Sequence, residues 1–89
     1  SVESFGAVYL EAMILGKPVI ARRTEVSEEV IEDAGLFIDD QSSLVRSLRR
    51  LMMDTALHRE LGRRGRQRVF SKYTWDVIAD RFRKNTSAL

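Results

Sequence analysis

Apolar residues recur along this chain in short blocks separated by charged or turn-forming residues, and the spacing inside each block predicts its element. Ala7, Leu10 and Ile14 recur on one face of a run of good helix formers, which predicts a helix over residues 6–15. Gly16 follows as a C-cap, and Pro18 cannot extend the helix. Val19, Ile20 and Ala21 then form an uninterrupted apolar run, so a strand buried on both faces is expected over residues 18–22. Thr24 or Ser27 caps a short helix from Glu25 to about Ile31, whose acidic first turn suits the positive end of a helix dipole. Asp33-Ala34-Gly35 ends it, and Leu36, Phe37 and Ile38 make a second buried strand closed by Asp39 and Asp40.

The second half is helical throughout. From Ser42 or Ser43, the positions Leu44, Leu48, Leu51 and Met52 define a helix that packs on the sheet, interleaved with Arg46, Arg49 and Arg50. A further helix over residues 56–70 shows Leu57, Leu61 and Val69 on one face, with Gly62 and Gly65 as small residues that allow close approach. Its arginines are expected to be largely solvated. Thr74 is the N-cap of the last helix, where Trp75, Ile78, Ala79 and Phe82 follow helical spacing as core residues. Strand, helix, strand in that order implies a parallel pair with a right-handed crossover. The fold class is therefore α/β, and two strands with four or five helices form part of a Rossmann-like doubly wound parallel sheet. Two strands cannot cover the apolar faces of so many helices, so the isolated chain is expected to be marginal without further residues or a partner.

Composition narrows the class. With 89 residues, one compact core is the ceiling. An apolar share of 44% and a charged share of 31% are those of an ordinary globular protein. No apolar run approaches the roughly 20 residues that span a bilayer, and no basic-then-apolar signal pattern opens the chain, so a cytoplasmic location is expected. The absence of cysteine excludes disulfides and thiolate metal sites, and a single histidine builds no zinc site, so no metal is expected. The net charge of +2 conceals two unlike halves. Residues 1–43 carry three basic groups against nine acidic, and residues 44–89 carry twelve basic against four acidic. The basic half reads either as solvated helix faces or as a surface for an anionic partner: RNA, a membrane surface, or an acidic part of the parent protein.

The stretch that carries chemistry is Glu3-Ser4-Phe5-Gly6-Ala7-Val8-Tyr9-Leu10-Glu11-Ala12-Met13. A loop glycine opening directly into a helix leaves several backbone N–H groups at residues 6–8 without intrahelical partners, and a phosphate fits such a terminus. Gly6 lets the group approach without a side chain in the way. Glu3 and Glu11 bracket this site. Carboxylates repel phosphates and accept from hydroxyls, and a ligand with phosphate in its middle and sugars at both ends meets both demands. A nucleotide sugar is such a ligand.

The string Glu-Ser-Phe-Gly, three residues, Leu-Glu-Ala-Met, two residues, Gly-Lys-Pro-Val-Ile-Ala closely resembles the signature of the retaining glycosyltransferases of family four, which have the two-domain GT-B fold. The resemblance continues through Glu29 to Leu36 and through Gly65-Arg66, Phe70-Ser71 and Thr74-Trp75. It implies that residues 1–89 are the C-terminal portion of the nucleotide-sugar-binding Rossmann-like domain, with upstream residues and an N-terminal domain beyond them. It further implies transfer of a hexose from a nucleotide diphosphate sugar to a glycan, lipid or small-molecule acceptor, with no cofactor beyond that donor. Glu3 would approach the donor sugar near the reacting centre, in the catalytic position. Glu11 would bind the ribose hydroxyls. The amides near Gly6 and Ala7 would hold the diphosphate, and Ser4 and Phe5 would be further donor-binding residues. An arginine and a lysine that stabilise the departing diphosphate would lie upstream of residue 1, so this segment alone would not turn over substrate.

The chain departs from the family pattern at Ala7-Val8, where Leu-Pro is common, and at Arg22-Arg23-Thr24, where many members carry a glycine pair. Arg22 and Arg23 either form a solvated loop at a strand end or meet a phosphate. His58 has no partner in the sequence, and Met13, Met52 and Met53 are read as packing residues. A non-catalytic basic helical module that binds RNA or an anionic membrane surface is the alternative of a different class; nucleic acid is the less expected partner, and peripheral membrane contact fits either reading.

Overall fold

The computed structural model describes the backbone of residues 2–87 and the side chains of residues 8–80 and of Arg83. The element order is α1 (Val2–Ile14), β1 (Val19–Arg22), α2 (Glu25–Ile31), β2 (Gly35–Ile38), α3 (Gln41–Met53), α4 (Thr55–Lys72) and α5 (Trp75–Ser87). β1 and β2 pair in parallel, with Val19 beside Gly35 and Arg22 beside Ile38. The chain is thus mixed α/β, with helices packed about a two-stranded parallel sheet.

Each helix boundary has a local cause. α1 ends in a Schellman arrangement: Lys17 N donates to Ala12 O and Gly16 N to Met13 O, both at 3.0 Å, with Gly16 at φ +71°. Thr24 caps α2, accepting from Ser27 N at 3.0 Å, while Ser27 Oγ accepts from Thr24 N at 2.9 Å. Both candidate caps are therefore used, as the two halves of one capping box. Asp40 and Ser43 repeat the device at α3. Asp54 caps α4 through Leu57 N at 2.9 Å, and Thr74 caps α5 through Val77 N at 3.2 Å.

The core lies between α1, α2, α4 and one face of the sheet. Met13, Ile31, Ala34 and Val69 are essentially inaccessible there, joined by Leu10, Val19, Ala21 and Ile78. Side chains of this kind each contribute about 1.5–3 kcal/mol when fully buried. Two glycines set how closely α4 approaches α1. A β-carbon on Gly62 would collide with the carbonyl oxygen of Gly16, and one on Gly65 would stand 3.3 Å from the Met13 side chain. The expected close approach at Gly62 and Gly65 is therefore the seat of the C-terminal end of α1.

Several expectations give way. β1 is not buried on both faces: Val19 and Ala21 are buried, Ile20 is half-buried and Arg22 is exposed. All four residues of β2 are half-buried. α3 contacts both strands, yet none of its residues is buried; Leu48 is 46% exposed, Met52 81% and Met53 82%. A sheet two strands wide, at about 4.8 Å per strand, offers α3 too narrow a surface to cover its whole apolar arc. Trp75 is 74% exposed rather than core, with its ring centroid 4.8 Å from that of Phe70. α5 buries Ile78 instead, and the Phe82 side chain lies outside the described residues. The arginines of α4 are not uniformly solvated, because the Arg68 side chain is only 17% exposed.

Candidate functional site

In parallel α/β sheets, ligands gather outside the carboxyl ends of the strands. α1 feeds β1 through the tight Gly16 turn and runs back against it, so the N-terminal turns of α1 stand at that same carboxyl edge. The loop 22–24 after β1 and the Asp39-Asp40 pair after β2 meet there.

α1 begins at Val2, one turn ahead of the opening expected at Gly6. Residues 6–8 therefore lie inside a helical run rather than at its opening turn. Glu3 is favourable in a first helical turn, and a glycine at position 6 costs a helix only about 1 kcal/mol relative to alanine, so nothing in Val2–Phe5 forces the chain out of helix. Glu3 and Glu11 lie on one continuous helix, about 12 Å apart along its axis by helical rise. Glu11 is half-buried and engaged with its surroundings. The side chains of Glu3, Ser4, Phe5 and Ala7 lie outside the described residues, and Gly6 is placed only by its helical backbone.

The loop after β1 is tied down by its own side chains. Ser27, fully buried, donates from Oγ to the Arg22 carbonyl at 2.7 Å and so clamps the end of β1 to the start of α2. Arg23 Nη1 meets Glu28 Oε1 at 3.0 Å, Nε lies 3.6 Å from Asp39 Oδ1, and the guanidinium sits 5.0 Å from the centroid of Phe37. Arg23 therefore bridges the ends of both strands and is held by two carboxylates and a ring. Arg22 is exposed and, among the described residues, forms no ion pair. Of the two arginines considered as phosphate contacts, the structure leaves Arg22 the more available. The role of Ser27 was legible only as a capping candidate; the Thr-x-x-Ser spacing was the available signal.

Much of the basic half is already engaged. Arg63 and Arg64 both hold Glu60, and together they pull its carboxyl down from 4.5 to about 2, with the Arg63 hydrogen bonds the larger cause. Arg68 crosses to the acidic half at α2. Arg46, Arg49 and Arg50 stay exposed on α3. A groove formed by Gly16, His58, Arg59, Gly62 and Arg66 lies at the other end of α1, away from the motif, with His58 exposed in it. Among the described residues, no three carboxylate, histidine or cysteine groups are close enough to hold a metal, and no helix is long and apolar enough to cross a membrane.

Comparison with known proteins agrees with the reading of the motif. A family model described as glycosyl transferases group 1 matches residues 1–68, from the motif through most of α4. The chain is 34% identical over 84 residues to an N-acetyl-alpha-D-glucosaminyl L-malate synthase of Bacillus anthracis, covering 90% of this chain and 22% of the relative. It is 33% identical over 87 residues to sucrose synthase 2 of Oryza sativa subsp. japonica, covering 89% of this chain and 11% of that protein. It is 32% identical over 85 residues to a lipopolysaccharide 1,2-N-acetylglucosaminetransferase of Salmonella typhimurium, covering 90% and 22%. The chain thus spans about a fifth or less of the length of these relatives. No solved structure matches it significantly. With the motif helix, both strands, α2, α3 and most of α4 inside the matched region, the chain belongs to the glycosyl transferases group 1 family.

Proposed function

We propose that the polypeptide carrying these residues transfers a hexosyl group from a nucleotide diphosphate sugar to an acceptor hydroxyl, with retention at the anomeric carbon, and that residues 1–89 supply donor contacts within a doubly wound GT-B domain. The observation that carries this reading is the string from Glu3 to Met13 on α1, at the carboxyl edge of a parallel sheet and inside the family match. Glu3 acts beside the donor sugar and Glu11 accepts from the ribose hydroxyls. The amides of Gly6 and Ala7 hold the diphosphate, and Ser4 and Phe5 are further donor-binding residues.

Because α1 is helical from Val2, this assignment requires the turn before Gly6 to open as the donor enters. Gly6 makes that opening inexpensive, since glycine lowers helix stability by about 1 kcal/mol relative to alanine. Once open, the amides of residues 6 and 7 become the unpaired N-terminal donors of a shortened helix, and their dipole stabilises charge on the departing diphosphate. Acceptors named for the relatives run from L-malate to lipopolysaccharide, which supports placing the acceptor pocket outside this segment.

The test is calorimetric titration of uridine, guanosine and adenosine diphosphate into the full-length protein and its Glu11→Ala variant. Loss of the charged acceptor for ribose weakens binding about 10- to 100-fold, as expected for a hydrogen bond to a carboxylate. Glu3→Gln lowers kcat and leaves nucleoside diphosphate affinity near its original value. Equal affinities in wild type and Glu11→Ala refute the assignment.

A further inference from the structure

The arginines of α4 divide into two sets. Arg64 and Arg68 turn to the end of α2, where they donate to the carbonyls of Asp33, Val30 and Glu29. Arg63 is held by Glu60 and donates from Nη1 to Gln67 Oε1 at 2.9 Å. Arg59 and Arg66 stay exposed, and among the described residues their guanidinium groups have no carboxylate partner. Seven residues apart, they stand on one line of the helix, about 10 Å from each other by helical rise, with Gly62 between them.

With His58 and the Gly16 turn, these two side chains enclose a groove of about 560 Å³, a volume within the range of small-molecule sites. Its floor is bare of side chains, because Gly62 packs directly on the backbone of Gly16. The Arg66 side chain lies across Gly16, its Nη1 3.9 Å from where a β-carbon would stand. Among the described residues, no acid lines the groove. The carboxyl end of α1 points here too, but the carbonyls of Ala12 and Met13 already accept from Lys17 and Gly16, and the exposed Lys17 adds a cation beside the turn. Arginines on a convex helix face share their field with water; converging on a recess, they concentrate it.

We infer that this groove is an anion site that takes a compact phosphate or diphosphate group, free or carried on a small molecule, with Arg59 and Arg66 as its charged clamps and His58 as a further donor at the rim. Guanidinium groups match phosphate oxygens through paired hydrogen bonds, and imidazole supplies an N–H donor. Size and charge together favour this occupant: the unpaired cations border a recess of small-ligand dimensions rather than run along a flat surface. The groove lies at the opposite end of α1 from the donor motif, so the inference stands apart from the proposed donor site.

The test is calorimetric titration of inorganic diphosphate into the full-length protein, with hydrogen exchange locating the response. Binding is expected to raise protection over residues 58–66 and to weaken as salt rises. Diphosphate held at the donor motif shows instead at the start of α1 and survives the groove variants. Arg59→Gln with Arg66→Gln weakens groove binding about tenfold, in the range for lost hydrogen bonds to a charged group. Both side chains are exposed, so the variant keeps its fold, which a thermal melt checks. Arg46→Gln with Arg49→Gln, on the exposed side of α3, leaves groove binding unchanged. An equal loss in that second variant means an adventitious ion only and overturns the inference. So does unchanged protection over residues 58–66, or protection already complete there without diphosphate, which means that another part of the protein fills the groove. Sedimentation with phosphatidylglycerol vesicles and no response to diphosphate refutes a small-anion site as well.

Discussion

Arg68 reaches from α4 to the carbonyl of Val30, donating from Nε at 2.8 Å, and its Nη2 donates to the carbonyl of Glu29 at 2.6 Å. Nη1 meets the Glu32 carboxylate. One guanidinium thus satisfies the last carbonyls of α2, which a helix C-terminus leaves without partners, and does so where the negative end of the dipole favours a cation. Arg64 adds a bond to the Asp33 carbonyl at 3.2 Å. The acidic and basic halves of the chain meet at this point.

Arg68→Ala is expected to destabilise the protein by about 2 kcal/mol, in the range for a hydrogen bond to a charged group. Arg68→Lys recovers less than half, because an ammonium cannot span three acceptors as a planar fork does. Urea midpoints of the full-length protein check both, and an unchanged midpoint in Arg68→Ala counts against the cap.

Gly62→Ala is expected to cost about 2 kcal/mol. The methyl group meets the backbone oxygen of Gly16, which has nowhere to move, and overpacking of this kind costs about 1–3 kcal/mol before any gain in helix propensity. Gly65→Ala is expected to be near neutral, since its new contact at 3.3 Å is with the flexible Met13 side chain and the propensity gain of about 1 kcal/mol offsets it. The order of the two variants is the prediction, read from thermal melts.

Acid is expected to weaken the fold through Glu60 and Asp40. Arg63, then Arg64, hold Glu60 at about 2 against an ordinary 4.5, and the Ser43 amide, then its hydroxyl, lower Asp40. A carboxylate lowered in the folded state stabilises fully above its unfolded value, and that stability disappears as pH falls from about 4.5 toward 2. Both groups are solvent-facing, so the effect is modest and shrinks in salt. Glu60→Gln flattens the slope of the urea midpoint between pH 5 and pH 2, and an unaltered slope contradicts the assignment.

Residues 1–89 expressed alone are expected to unfold broadly and early, below about 45 °C, where ordinary mesophile domains begin to melt. Two strands and an α3 without a buried residue leave much apolar surface in water. A sharp, cooperative transition at high temperature would show that this unit closes its own core.

Much of this architecture was legible because the local signals agree with one another. The apolar blocks at Val19–Ala21 and Leu36–Ile38 fall in the strands, the Gly16-x-Pro18 stop follows α1, and Thr24 and Thr74 cap α2 and α5, whereas α3 starts at Gln41 behind Asp40 rather than at Ser42 or Ser43. The close approach at Gly62 was legible for the same reason, since small residues on a helix face have few other uses. What failed needed knowledge of neighbours. Periodicity puts Trp75, Leu48 and Met52 on an apolar arc, but it does not say how wide a surface that arc will meet. Arg68 looks like any surface arginine until α2 is placed beside it 38 residues upstream. Residues 2–5 are helical where the sequence suggests a loop, because Gly6 reads equally as a loop residue and as a tolerated helical one.

The crossing of Gly16 and Gly62 gives α1 a fulcrum. Its far end is seated against the α4 backbone, whereas Gly6 lowers helix propensity near its other end, so the opening proposed above would fall on the half away from that seat. The anchored half then holds Leu10 and Met13 in the core while the first two turns adjust. On the proposed function, donor entry would reshape one end of a rod whose other end keeps the domain assembled.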